Sequence, residues 1–215
     1  MSLFYSIAKG ATKVFLKIAF KMRYEGLENI PDGGGYMVCA NHRTMLDPFF
    51  FAPKVKPQLF FMAKQELFKN KFLAMVFKGL GAFPVERGKG DTGAIDFAVN
   101  TLRSGKILAM FPEGTRSRDG VPLRPKSGAA LVAIQTKSDI LPVGISFDQP
   151  IHFRSVVTIR FGKLIRFGEL GANQGLPSEM KHASKLIMGR IVDLVDVPRL
   201  PEPEASDVHP SEAGR

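Results

Sequence analysis

The chain alternates short, continuous apolar segments with longer segments in which apolar residues recur at helical spacing. Continuous apolar segments of this length are typical of strands buried on both faces of a sheet. Strands are predicted at residues 36–40, 58–64, 82–87, 106–111 and 140–147, a hairpin-like pair at 155–168, and helices at 47–53, 65–81, 91–105, 127–137 and 177–196. This alternation predicts an α/β fold, with a largely parallel mixed sheet flanked by helices.

The segment at residues 3–22 combines an apolar face with a basic face. On a helical wheel of roughly 100° per residue, its apolar side chains from Phe4 to Met22 fill an arc of about 140°. Lysines recur every fourth residue on the opposite side, at positions 9, 13, 17 and 21. Such a helix either lies in a membrane interface or packs its apolar stripe on the protein core. Because Leu16 and Phe20 add apolar surface to the lysine side, we favour the membrane interface.

The pattern divides the chain into three parts. Residues 1–25 are predicted to form an amphipathic membrane-docking helix, and residues 26–197 one folded domain. Residues 198–215 are rich in proline, glutamate and serine, a composition typical of disorder. No apolar stretch is long enough to predict a membrane-spanning helix, and no segment has the pattern of a signal peptide.

Charge and cysteine content narrow the classes of function. Lysine and arginine total 30 against 20 acidic residues, a net charge of +10 that attracts either nucleic acid or an anionic membrane. The single cysteine, Cys39, excludes an internal disulfide and fits a reducing compartment. The four histidines and the cysteine have no metal-ligand spacing, so we expect no metal site.

Cations follow four of the predicted strands, where parallel strands end at one edge of the sheet. They are Arg43, Lys64, Arg87 and Arg116. One cation after a strand is explained by exposure alone, but four together are expected to converge. Beside the glycines of "FPEGTRS", at residues 111–117, this arrangement suits a phosphate group.

The stretch "NHRTMLD" places a histidine and an aspartate five residues apart, directly after the first strand. Asp47 could accept a hydrogen bond from Nδ1–H of His42 and leave Nε2 free as a general base. Alternatively, Asp47 only caps the helix that begins with Pro48, and His42 is a solvated loop residue. Cys39 is a poor candidate nucleophile because it lies inside the apolar "MVCA" segment. The base would therefore activate a substrate hydroxyl.

Four blocks of this sequence resemble the motifs of the glycerolipid acyltransferase family, in the same order. They are "NHRTMLD" at 41–47, "GAFPVERG" at 81–88, "FPEGTRS" at 111–117 and "LPVGI" at 141–145. The resemblance is strongest to the bacterial 1-acyl-sn-glycerol-3-phosphate acyltransferases. It implies that residues 26–197 are an acyltransferase domain. The implied reaction transfers a fatty acyl group from acyl-carrier protein or coenzyme A to the 2-hydroxyl of lysophosphatidic acid, with no further cofactor.

The resemblance also implies roles for individual residues. His42 is expected to be the general base and Asp47 its partner. The residues expected around the phosphate are Lys64, Arg87, Glu113, Gly114, Thr115 and Arg116. Because a carboxylate repels a phosphate, we expect Glu113 to orient Arg116 or a backbone amide.

The family further implies a peripheral position on the cytoplasmic face of the cell membrane, with the N-terminal helix on an anionic leaflet. Two alternatives stay open. One is an acyltransferase for another lyso-lipid, such as a lyso-ornithine lipid or a lysophospholipid. The other is a non-catalytic binder of membranes or nucleic acid. The phenylalanines fall mostly within helix and strand patterns, which favours core packing over base stacking, and we expect no nucleic-acid partner.

Overall fold

One seven-stranded sheet organises the chain, with the strands in the spatial order β1-β7-β6-β2-β5-β3-β4. The computed structural model describes residues 3–85, 92–148, 150–172 and 176–196. The strands are β1 (Lys21–Glu25), β2 (Met37–Ala40), β3 (Leu59–Lys64), β4 (Ala82–Val85), β5 (Ile107–Met110), β6 (Ile140–Phe147) and β7 (Val156–Phe161). The helices are α1 (Leu3–Ala19), α2 (Asp47–Phe51), α3 (Lys71–Gly79), α4 (Thr92–Arg103), α5 (Gly128–Thr136) and α6 (Pro177–Val192).

The sheet is mixed but largely parallel, as predicted. Strands β6, β2, β5, β3 and β4 run parallel to one another. Strand β7 pairs antiparallel with β6, and β1 pairs parallel with β7. Because β2, β3, β5 and β6 are parallel, the residues that follow them lie at one edge of the sheet. Binding sites of α/β folds form at this edge.

Two apolar cores lie on the two faces of this sheet. Helices α4, α5 and α6 cover one core, and α1 and α2 contribute to the other. The central strands β2, β5 and β6 are buried along their whole length, which is why their sequences read as continuous apolar runs. Asn41, at the end of β2, donates to the carbonyl of Ile145 (3.0 Å) and accepts from its N–H (2.7 Å). This pair fixes the end of β2 against β6.

Three elements differ from the prediction. The N-terminal helix ends at Ala19 rather than Met22, and residues 21–25 form β1 instead of completing a docking helix. Residues 155–168 are not a hairpin pair, because β7 takes its antiparallel partner from β6, and Ile165 bridges to Ile140. The helix predicted at 65–81 is divided into a 3-10 turn and α3.

Helix α1 turns its apolar stripe away from the domain. Leu16 is 2% exposed in the core, whereas Val14 is 59%, Phe15 52% and Ile18 60% exposed. Lys9, on the lysine side, donates to the carbonyl of Val55 at 2.5 Å. This excludes the alternative in which α1 packs its stripe on the core. Among the described residues, no helix combines the length and hydropathy needed to cross a bilayer. The predicted disordered tail lies outside the described residues.

Candidate active site

His42 directly follows β2 at the carboxyl edge of the sheet and touches Asp47. Its Nδ1 lies 2.7 Å from Oδ2 of Asp47, so the predicted contact is present. Asp47 is fully buried, and His42 is 9% exposed. A carboxylate on Nδ1 fixes the proton there and leaves Nε2 as the basic nitrogen. Within the described part of the chain, Nε2 has no hydrogen-bond partner.

Asp47 does not cap α2, contrary to the second role considered for it. The helix begins at Asp47 itself, and no side chain caps it. The carboxylate instead accepts from the N–H of Arg43 (2.6 Å), the N–H of Thr44 (2.9 Å) and the hydroxyl of Thr44 (2.9 Å). The N–H groups of Phe49 and Phe50, which an Asp47 cap would accept from, donate to the Leu46 carbonyl instead, at 2.9 and 3.2 Å. All of these Asp47 contacts therefore stabilise the loop that carries His42.

The "FPEGTRS" loop, which follows β5, holds His42 from the other side. Oε1 of Glu113 accepts from the His42 N–H at 2.8 Å, and the Ser117 N–H donates to the His42 carbonyl at 2.8 Å. The ring of Phe111 stacks on the imidazole, with centroids 4.1 Å apart and planes 17° apart. The backbone and one face of the histidine are thus fixed, while its Nε2 edge has no such restraint.

Glu113 serves backbone amides, one of the two roles expected for it. It is 1% exposed, and its second oxygen accepts from the N–H of Leu123 at 3.0 Å. Burial raises the pKa of Glu113, while the hydrogen bonds from Leu123 and His42 act in the opposite direction. The alternative, orientation of Arg116, has no contact to support it among the described residues. Glu113 therefore joins the loop at residues 113–123 to His42.

A pocket of about 440 Å³ opens beside Arg43 and Thr44, the two residues that follow His42. Its lining residues are Arg43, Thr44, Thr115, Arg116, Ser117, Arg118, Phe147, Pro150 and Ile151. Three of them are arginines, and none of the described lining residues is acidic. We call this the arginine pocket. A pocket with this charge suits an anion, and guanidinium groups match the geometry of phosphate oxygens.

Arg43 forms one wall of the arginine pocket. Its guanidinium carbon lies 3.9 Å from the centre of the Phe147 ring, and Nη1 donates to the Phe147 carbonyl at 2.7 Å. The buried Nε has no hydrogen-bond partner among the described residues. Gly120, at a φ of 84°, lies so close that a Cβ there would meet Nη2 at 2.6 Å. Arg43 is therefore held in place by both its ring contact and its backbone contacts.

The other predicted phosphate residues are divided between this pocket and positions away from it. Arg116 and Thr115 line the arginine pocket, and Gly114, at a φ of 69°, packs against the side chain of Lys126. Lys64 does not line the pocket and pairs with Glu66 at 2.8 Å instead. Arg87 lies outside the described residues. The expected convergence of four cations is thus seen for Arg43 and Arg116 only.

Arg118 and Phe111 are among the residues of this site that sequence reasoning missed. Arg118 lines the arginine pocket, and its position one residue beyond "FPEGTRS" was a usable signal. Phe111 stacks on His42, but an aromatic residue at the end of a buried strand is more often core. Cys39 is fully buried, and burial raises the pKa of its thiol, so it is not placed to act as a nucleophile.

Comparison with known proteins gives one consistent result. A family model described as "Acyltransferase" matches residues 21–146. The 1-acyl-sn-glycerol-3-phosphate acyltransferase of Bacillus subtilis is 32% identical over 64% of this chain and 69% of its own length. The proteins of the same name from Streptococcus pneumoniae and Borreliella burgdorferi are 34% and 30% identical, but the chain spans only 58% and 62% of their lengths.

A solved structure has the same fold. The crystal structure of the 1-acyl-sn-glycerophosphate acyltransferase PlsC from Thermotoga maritima superposes with a TM-score of 0.70 at 24% identity. The match covers 88% of this chain and 79% of that one. At this identity the likeness supports the architecture, a mostly parallel sheet flanked by helices.

Replacing Glu113 with glutamine tests whether its two acceptor oxygens hold the histidine loop. Glutamine has one acceptor oxygen, so either the His42 N–H or the Leu123 N–H would face an NH₂ group. An unsatisfied buried donor costs about 1–3 kcal/mol, and we expect a loss of unfolding free energy in that range in urea titrations. The exposed, equally isosteric change Glu28→Gln serves as the control. Equal stability of the two variants would contradict this role of Glu113.

Proposed function

The chain belongs to the acyltransferase family, and we propose that it transfers a fatty acyl group to the sn-2 hydroxyl of 1-acyl-sn-glycerol 3-phosphate. The product is phosphatidic acid, and the donor is a thioester of acyl-carrier protein or coenzyme A. The observation that carries this proposal is the arginine pocket next to the buried His42–Asp47 pair. It combines a base with a site for an anionic acceptor. The names of the curated relatives support the same acceptor.

In the proposed reaction His42 is the general base. Nε2 takes the proton from the acceptor hydroxyl, and the hydroxyl oxygen attacks the thioester carbonyl. The tetrahedral intermediate collapses with cleavage of the carbon–sulfur bond, and the imidazolium returns the proton to the departing thiolate. Asp47 stabilises the imidazolium and keeps the ring oriented. No covalent enzyme intermediate is needed, which agrees with the buried position of Cys39.

We assign the acceptor phosphate to the arginine pocket. Arg116 is exposed there and forms no ion pair with a described carboxylate, so its guanidinium is available to a ligand. Arg43 and Arg118 line the same pocket and add positive charge beside Arg116, which supports the assignment. Lys64 and Arg87 remain further candidates, but the described contacts add nothing in their favour.

We also propose that α1 docks on an anionic membrane, at the cytoplasmic face of the cell membrane. An exposed apolar stripe costs free energy in water and gains it in the bilayer interface. The stripe includes Val14, Phe15 and Ile18, all more than half exposed, and lysines flank it. A lipid acceptor also requires that the site reach the membrane surface.

The reaction is tested by measuring acyl-transfer rates of the purified protein with a panel of acceptors and each of the two donors. We expect 1-acyl-sn-glycerol 3-phosphate to be the best acceptor and His42→Ala to lower the rate by about 10²–10⁴, the usual worth of a general base. Cys39→Ala is the control and should keep its activity. Equal rates with a lyso-ornithine lipid or a phosphodiester lysophospholipid would show that the enzyme is not specific for the proposed acceptor. Full activity of His42→Ala would reject the mechanism.

Arg116→Ala tests the assignment of the phosphate. A charge-assisted hydrogen bond is worth about 1.5–3 kcal/mol, so we expect kcat/KM for the acceptor to fall by about 10–100-fold. The KM of the donor should change little. The control is Lys185→Ala, an exposed cation on α6 at the opposite face of the sheet. A parallel loss for donor and acceptor would count against a phosphate role.

Ile18→Ser separates membrane docking from folding. Because Ile18 is 60% exposed, we expect less than about 0.5 kcal/mol of change in stability but a lower rate on vesicles than on detergent-dispersed acceptor. Leu16→Ala is the matched contrast: Leu16 is buried, so its truncation should cost about 2–5 kcal/mol of unfolding free energy. An equal rate loss of Ile18→Ser in vesicles and detergent would argue against docking by this stripe.

A further inference from the structure

A second basic pocket lies at the end of α1, apart from the arginine pocket. Its volume is about 490 Å³. Its lining residues are Lys13, Leu16, Lys17, Phe20, Lys21, Met22, Tyr24, Pro53, Lys54 and Arg154. It shares no described lining residue with the arginine pocket. We call it the helix pocket. The family resemblance and the proposed docking place α1 on an anionic membrane, but neither assigns a ligand to this pocket.

No carboxylate of the described residues neutralises the positive charge of the helix pocket. Five of its lining residues are cations, and none of the described lining residues is acidic. Among the described residues, none of the five forms an ion pair with a carboxylate. Lys54 lies 4.4 Å over the ring of Tyr24, and Arg154 donates weakly to the carbonyls of Lys17 (3.3 Å) and Ile18 (3.5 Å). A concave site with like charges of this kind attracts an anion.

The surroundings of the helix pocket favour a lipid as the source of the anion. Val14 and Ile18, on the same helix turns as the lining lysines, are 59% and 60% exposed. Phe153, next to Arg154 in the chain, is 69% exposed. A cationic pocket on a helix that also carries exposed apolar side chains matches a lipid, which joins a charged headgroup to acyl chains. A free anion in solution would gain nothing from these apolar side chains.

We propose that the helix pocket binds the phosphomonoester headgroup of a membrane lipid. A phosphomonoester carries a charge of about −1.5 to −2 near neutral pH, more than the single negative charge of a phosphodiester, and five uncompensated cations favour the higher charge. The link to catalysis rests on the proposed function, in which acceptor and product are both phosphomonoesters. The pocket then retains the protein on membranes that contain them, independently of the lipid in the arginine pocket.

Vesicle binding tests this proposal without relying on activity. The assay is sedimentation of the full chain with phosphatidylcholine vesicles that contain either phosphatidic acid or phosphatidylglycerol, matched in surface potential. The pocket variant is K13Q/K17Q/K54Q. The control variant, K163Q/K181Q/K185Q, removes the same charge from exposed lysines that do not line the helix pocket. Thermal unfolding of both variants checks that they fold, and Lys54→Gln alone tests the pocket without a change in α1.

We expect the wild-type chain to prefer phosphatidic acid vesicles. The pocket variant should bind them at least about tenfold more weakly, and the control variant less than about threefold, since surface lysines act mainly through the general field. The single change Lys54→Gln should weaken binding in the same direction. Equal losses in the two triple variants, or equal affinity for the two lipids at matched potential, would overturn the proposal. Because no acyl transfer is measured, failure here is distinguishable from failure of the proposed reaction.

Discussion

The buried carboxylate of Asp47 is the constraint on which the site depends. A charge taken out of water costs several kcal/mol unless donors replace its hydration. Among the described residues, every donor to Asp47 comes from residues 42–44: one imidazole nitrogen, two backbone N–H groups and one hydroxyl. The conformation of this loop and the orientation of the His42 ring therefore follow from the need to satisfy a single buried charge. Removing any one donor would weaken the restraint on the ring.

A second buried carboxylate, that of Glu113, performs the same task from the neighbouring strand. The two acids approach the histidine loop from opposite sides, and the Asn41 amide ties the same strand end to β6. Three adjacent parallel strands, β5, β2 and β6, are thus joined by hydrogen bonds around His42. His42 therefore lies in the middle of the sheet edge, where three loops can hold it, while the arginine side chains line the pocket beside it.

The sequence was sufficient for the parallel strands and for the His42–Asp47 contact, because continuous apolar runs and a five-residue spacing are local signals. It was insufficient where contacts between residues far apart in the chain determine the local structure. Residues 21–25 continue a helical pattern and become a strand only because β7 lies beside them. The orientation of α1 was ambiguous because Leu16 lies among the lysines. Arg43 is fixed by a ring that lies 104 residues away in the chain, while Lys64 is held by the nearby Glu66.

The loop between β6 and β7 joins two parts of the molecule that have been described separately. Pro150 and Ile151 form part of the arginine pocket, and a few residues later Arg154 contacts the last carbonyls of α1. One short segment therefore touches both the arginine pocket and α1. Thermodynamic linkage makes any coupling through it reciprocal: if a bound acceptor strengthens membrane attachment by some factor, attachment strengthens acceptor binding by the same factor. The gain in membrane affinity on acceptor binding and the gain in acceptor affinity on membrane attachment would then be two measurements of one coupling free energy.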